Sequence, residues 1–164
     1  MSRSRSRRPK SVRVSKIAGH PAERLLAAWP QGDWWTLRFD GGCNDNGQAN
    51  ETGRWAYHLL SPAQTTSAMS CGKATGELVT CNTAEWEACL AGIRRAAAVG
   101  MTGGLLIEGD SDLVVKQLSG WWMASGALVQ FRDEALDLLA GIGLPWHARW
   151  IPRAENTFCD SMTH

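Results

Sequence analysis

The chain has 164 residues, enough for one globular domain with a usable hydrophobic core. Apolar residues make up 44% and charged residues 20%, which excludes a wholly disordered chain. No run approaches the roughly 18 apolar residues of a membrane span. The net charge of +1 hides an uneven layout. Residues 1–16 carry Arg3, Arg5, Arg7, Arg8, Lys10, Arg13 and Lys16 against no acid, while the rest holds ten bases and sixteen acids. A basic arm precedes an acidic body.

The arm, SRSRSRR followed by PKS, is of low complexity and cannot bury a core, so disorder is expected over residues 1–16. It reads either as a solvated tail or as an arm that attracts nucleic-acid phosphates through counterion release. It lacks the apolar stretch of a secretory signal, and almost no apolar residue in Met1–Lys10 makes the face of a mitochondrial presequence. Residues 17–33 form a transition, with a short helix expected at Ala22–Ala28 between Pro21 and Pro30. From Trp34 the pattern becomes regular. Trp34–Asp40 (WWTLRFD) is rich in β-formers and runs into FDGG, a strand followed by a turn. Cys43–Gly53 (CNDNGQANETG) is a polar loop with Asn-Gly turn chemistry, and Arg54–Leu60 and Thr65–Lys73 read as two further strands of an antiparallel meander.

Over Thr80–Val99 the period changes. Trp86, Leu90, Ile93 and Ala97 recur at helical spacing, and Gly100 stands where a helix would stop. Gly104–Gly109 (GLLIEG) is nearly all apolar, as a strand covered on both faces would be. Ser111 can cap a helix to Leu118; Leu128–Ala140 gives another, with Phe131, Ala135, Leu138 and Leu139 on one side. Trp146–Ile151 is a last strand, and Ala154–Met162 a final helical turn or two. The order βββ-α-β-α-α-β-α predicts an α/β fold with a five-stranded mixed sheet flanked by helices. Five cysteines (Cys43, Cys71, Cys81, Cys89, Cys159) are odd in number and form no C-x-x-C pair. Free thiols in a reducing, cytoplasmic setting are therefore expected, with no Cys-based metal site.

Four acids stand where elements end near the middle of the sheet. Asp40 closes the first strand, Glu85 lies near the start of the long helix, Asp110 follows the fourth strand, and Asp160 falls in the last helix. Carboxylates gathered without Arg or Lys between them repel one another, so a shared pocket calls for cations. Hard divalent ions with oxygen ligands suit it, and two such ions about 3.5–4 Å apart suit phosphodiester hydrolysis.

The local contexts FDGGC, TCNTAE, EGDSDLV and ENTFCD occur in that order, and together they resemble type 1 ribonuclease H in its shorter variants. The resemblance covers about Trp34–His164. It implies a ribonuclease H-like sheet of three antiparallel strands followed by two parallel ones. It also implies cleavage of the RNA strand of RNA–DNA hybrids, leaving 5′-phosphate and 3′-hydroxyl ends. Asp40, Glu85, Asp110 and Asp160 match the family's four metal-binding acids, with two Mg²⁺ as cofactor and Mn²⁺ able to substitute. Asp40 would bridge both ions, Asp160 would hold the one that activates water, and Glu85 and Asp110 the other. A monomer is expected.

For RNA selection the resemblance points to Asn46 and the Cys43 backbone in the CNDNG turn, and to Thr80 and Asn82 at the helix start. Asn46-Gly47 is equally a plain turn pair, and Thr80 equally an N-cap. Trp121, eleven residues after Asp110, stands where the family often has an aromatic supporting the DNA strand, although Trp122 or a place in the core competes with that reading. Asn156 and Arg153 complete the expected substrate contacts. Three departures stand out. Cys81 replaces an Asn of the helix-start motif, SGWWMASG (Ser119–Gly126) replaces the lysine-rich protrusion of longer members, and IPRAEN replaces their histidine-bearing loop. His164 is expected in solvent, within possible reach of the acids. Glu108 and Asp112 flank Asp110, and a solvent ion pair at the sheet edge is the preferred reading for Glu108. Three other functions compete: a binding module that has lost catalysis, a DNA exonuclease, and a structural protein whose arm docks on ribosomal RNA. The exonuclease would carry D-x-E on the first strand, where this chain has Asp40-Gly41-Gly42.

Overall fold

The computed structural model describes residues 33–44, 52–76 and 79–164. The basic arm, the expected Ala22–Ala28 helix and Asn46 lie outside the described residues. Five strands, β1 (Trp34–Asn44), β2 (Thr52–Leu60), β3 (Thr66–Lys73), β4 (Gly104–Gly109) and β5 (Trp146–Trp150), form one sheet in the order β3-β2-β1-β4-β5. The β1–β2 and β2–β3 pairs are antiparallel, and β1–β4 and β4–β5 are parallel. Among the described residues four helices accompany the sheet: α1 (Cys81–Val99), α2 (Asp112–Leu118), α3 (Leu128–Ile142) and α4 (Thr157–Thr163). A 3₁₀ turn at Arg153–Glu155 precedes α4. The expected mixed sheet is the one found.

Alternation along β1 sorts its side chains to two faces. Leu37 and Phe39 point into the main core, where both are fully buried with Leu59, Trp86, Ile93, Leu105 and Ile107. Full burial of a side chain of this size contributes about 1.5–3 kcal/mol, and α1 supplies much of the covering surface. Thr80 caps α1 in a reciprocal box: its hydroxyl accepts from Thr83 N–H at 3.1 Å, and Thr83 Oγ1 accepts from Thr80 N–H at 2.8 Å. Gly100, in the left-handed region at φ 71°, ends the helix. Trp86 Nε1 donates to Gln117 Oε1 at 2.8 Å inside the core, which ties α1 to α2. Arg38 and Asp40 belong to the opposite face, where α4 packs on β1 and β2 and the Phe158 ring lies 4.1 Å from that of His58.

Three expectations need correction. β1 does not turn after FDGG but continues to Asn44, because Gly42, Cys43 and Asn44 keep their ladder with Arg54, Gly53 and Thr52. Glu108 is not in a solvent pair at a sheet edge. β4 lies between β1 and β5, so Glu108 is 1% exposed and gripped by Arg38 (3.0 Å) and Arg149 (2.8 Å) from the strands on either side. The expectation that all five thiols are free fails for two of them. Cys43 and Cys81 form a disulfide with their Cα atoms 5.1 Å apart, while Cys71, Cys89 and Cys159 are free. The partners are 38 positions apart, and only the docking of α1 beside the end of β1 brings them together.

Candidate active site

Asp40 reaches the site because it stands one residue past Phe39–Gly109, the last pair between β1 and β4, and so level with Asp110 where β4 ends; it is 3% exposed. Glu85 arrives through a close helix–strand approach. A Cβ on Gly41 would lie 2.3 Å from the backbone of Ala84 and Glu85, so any larger residue would push α1 away. That contact sets Glu85 Oε2 3.1 Å from Gly41 N–H, which donates to it. Asp110 stands at the β4–α2 junction, held by the Ser111 cap, whose hydroxyl accepts from Val114 N–H at 3.3 Å. Asp160 comes from α4, as does Thr163, whose hydroxyl donates to Asp40 Oδ2.

The four acids converge as two triads sharing one member. One oxygen each from Asp40, Glu85 and Asp110 lie within 4.8 Å of one another, and so do ligand atoms of Asp40, Asp160 and His164. Burial, then repulsion from Asp40 and Asp110, pushes the Glu85 carboxyl up to about 9, against the opposing pull of Gly41 N–H and Arg153. Asp40 is pushed up to about 6, chiefly by burial; the Thr163 hydrogen bond opposes this, and Asp110 and Asp160 add to it. Among the described residues no ion pair reaches Asp40, Glu85 or Asp110. Asp160 differs, since Arg153 pairs with it at 2.6 Å and His164 Nε2 lies 3.2 Å from its Oδ1. Crowded hard oxygen donors, two of them driven toward protonation by burial and then by neighbouring carboxylates, are the donor set that divalent cations satisfy. Asp40 and Asp160, with Glu85 and Asp110 on the other side, would hold them.

The remaining expected site residues fall in different places. Cys43 and Cys81 join the β1 end to the α1 start across the rim beside Asp40 and Glu85. Asn82 is exposed on that rim, and Thr80 is engaged as the α1 cap. Asn156 does not face outward as a substrate contact would. It is 1% exposed, and its Nδ2 donates to Phe39 O at 2.9 Å and Asp110 Oδ1 at 3.3 Å, so it braces Asp110 against β1. Arg153 is exposed and turned onto Asp160. Trp121 and Trp122 are both half-buried after α2, and the Lys116 ammonium lies 4.3 Å from the Trp122 ring centre. Sequence reasoning missed Thr163. Its spacing of three from Asp160 on a helix was the available signal.

A family model described as reverse transcriptase-like matches residues 38–164. The chain belongs to the ribonuclease H family. A ribonuclease HI of Halobacterium salinarum is 36% identical over 84 residues, which is 51% of this chain and 41% of that protein. A bifunctional protein of Mycobacterium tuberculosis is 32% identical over 99 residues, 60% of this chain and 25% of that protein. The matched stretches thus span less than half of these curated relatives. Among solved structures, the N-terminal ribonuclease H domain of a Mycobacterium tuberculosis protein superimposes with a TM-score of 0.70 at 28% identity, over 79% of this chain and 90% of that one. The ribonuclease H1 of Halobacterium salinarum gives 0.67 at 30% identity, over 79% and 94%. A third ribonuclease H1, LC11, solved in complex with an RNA/DNA hybrid, shares the fold with a TM-score of 0.64 at 20% identity, over 79% and 93%.

Proposed function

We propose that this protein is an endonuclease that hydrolyses the RNA strand of RNA–DNA hybrids with two divalent ions, Mg²⁺ or Mn²⁺, leaving 5′-phosphate and 3′-hydroxyl ends. The observation that carries this reading is the pair of triads meeting at Asp40, one with Glu85 and Asp110 and the other with Asp160 and His164. Bound there, divalent ions supply an activated water and neutralise charge at the departing oxygen. The chain's own residues do the positioning. Gly41 N–H orients Glu85, Thr163 orients Asp40, and Asn156 orients Asp110. Asn82, exposed on the rim, and the Cys43 backbone beside it would meet the RNA strand, where a 2′-hydroxyl distinguishes it from DNA. Arg153 is free to leave Asp160 for a substrate phosphate once a cation takes its place.

A second reading, a nucleic-acid-binding module of the same fold with little or no catalysis, draws on the Arg153–Asp160 pair. A parked guanidinium is how a chain would neutralise one acid without an ion. Cleavage of a labelled hybrid, compared with duplex DNA, duplex RNA and single-stranded RNA in Mg²⁺ or Mn²⁺, separates the two. Cutting confined to the hybrid's RNA strand and lost in Asp110→Asn is the expected result. Binding without cutting would establish the module.

A further inference from the structure

We infer that the His164 imidazole is a nitrogen ligand of the ion held by Asp40 and Asp160, and that it biases this half of the site toward Mn²⁺ over Mg²⁺. The inference rests on the proposed divalent-ion reading and adds to it a donor of a different chemical type. Asp160 and His164 are four residues apart at the end of α4, the helical spacing that places two side chains on one face. The Thr163 hydroxyl, bonded to Asp40, fixes the end of that helix against β1. A ring nitrogen of His164 and one oxygen each from Asp40 and Asp160 all lie within 4.8 Å of one another, which a single ion could span.

The position opposite the ring makes the same point. A Cβ on Gly42 would lie 2.9 Å from His164 Cε1 and 3.3 Å from Nδ1, so the imidazole occupies room that exists because residue 42 has no side chain. The His164 side chain is 49% exposed, which leaves the ion a route in from solvent. Mg²⁺ prefers oxygen donors and retains its waters, whereas Mn²⁺ accepts imidazole more readily than Mg²⁺ does. A triad of two carboxylates and one imidazole therefore discriminates between the two ions. The all-carboxylate triad of Asp40, Glu85 and Asp110 offers no such bias.

The full chain, free of substrate and titrated with up to two equivalents of Mn²⁺, is examined by pulsed electron paramagnetic resonance for coupling to a directly bound ¹⁴N. Coupling is expected in the unaltered chain and lost in His164→Ala. In the same variant calorimetry should show Mn²⁺ affinity falling on the order of tenfold, with Mg²⁺ affinity changing by less than about threefold. Mn²⁺ binding without nitrogen coupling, coupling that survives in His164→Ala, or equal weakening of both metals would overturn the inference and leave the nuclease reading intact if the hybrid is still cut. Failure of the unaltered chain to bind Mn²⁺ would overturn both.

Discussion

A carboxylate buried without an ion pair lowers its cost by accepting hydrogen bonds or by taking up a proton, and for Glu85 the one bond from Gly41 N–H does not outweigh burial. Burial first, then Asp40 and Asp110, raise its carboxyl to about 9, against an ordinary value of 4.5 for a free glutamate. Between those values the folded chain keeps a proton that the unfolded chain has lost. The cost is absent below about pH 4, grows as pH rises, and is complete above 9; Asp40 adds a smaller cost that is complete above about 6. Glu85→Gln removes the larger part. Without metal at pH 8 its Tm should rise by about 5 °C in thermal unfolding, while hybrid cleavage falls on the order of 100-fold or more. A lower Tm would mean that the Glu85 carboxyl is satisfied without an ion. Ions must displace these protons to bind, so the Tm gain from Mg²⁺ over chelator should grow from pH 5 to pH 8. A gain independent of pH would contradict the two raised carboxyls. Arg153 competes for Asp160. Arg153→Ala should lower the Mg²⁺ concentration for half-maximal cleavage and raise the hybrid KM, because a competitor for the ion and a phosphate partner disappear together. Unchanged values of both would reduce Arg153 to a surface residue.

At the scale of elements, the junction of β1 with α1 governs the rim of the site, and the Cys43–Cys81 bond fastens it. A cross-link between residues 38 apart restricts the unfolded chain by roughly 2–4 kcal/mol. The double variant Cys43→Ser, Cys81→Ser should lose stability in that range in urea titration. Its hybrid KM should rise with little change in kcat, since the rim loosens while the carboxylates keep their own supports. Equal stability of the oxidised chain and the variant would show that the bond closes nothing. This bond was not legible in the sequence, because cysteine spacing reports local frameworks and these partners meet only through tertiary packing. The elements themselves were legible wherever period decided them. Trp86, Leu90 and Ile93 mark the buried face of α1, and the apolar run GLLIEG marks a strand covered on both sides. The overshoot of β1 past Asp40 was hidden because Gly41 and Gly42 read locally as a turn. Their pairing with Trp55 and Arg54, together with the close approach of α1, keeps them in the strand instead. Glu108 was misplaced for a related reason: its two arginines come from neighbouring strands, and no local pattern announces a cross-strand partner.

At the scale of the whole molecule, the four acids were legible through the stretches FDGGC, TCNTAE, EGDSDLV and ENTFCD, and the β3-β2-β1-β4-β5 order lets the elements that carry them meet at one site. His164 and Thr163 were harder to see, since they matter only through their nearness to Asp40 on the sheet face that α4 covers. The same body is acidic overall, with ten bases against sixteen acids beyond residue 16, and it has SGWWMASG where longer family members carry lysines. An acidic surface repels a polyanion, so affinity for a hybrid must come either from the metal site alone or from charge placed elsewhere in the chain. The seven bases of residues 1–16 are the largest such reserve. If they neutralise phosphates, each contact releases counterions and steepens the fall of affinity with salt by about 0.9 in the log–log slope. Replacing Arg3, Arg5, Arg7, Arg8, Lys10, Arg13 and Lys16 by glutamine in the full chain should flatten that slope by several such increments. It should also raise KM at physiological salt and leave kcat unchanged, because the carboxylates are untouched. Hybrid binding measured by fluorescence anisotropy across a salt series reads the slope directly. Identical slopes for the two chains would remove the arm from the substrate's path and leave the metal site to hold the hybrid alone.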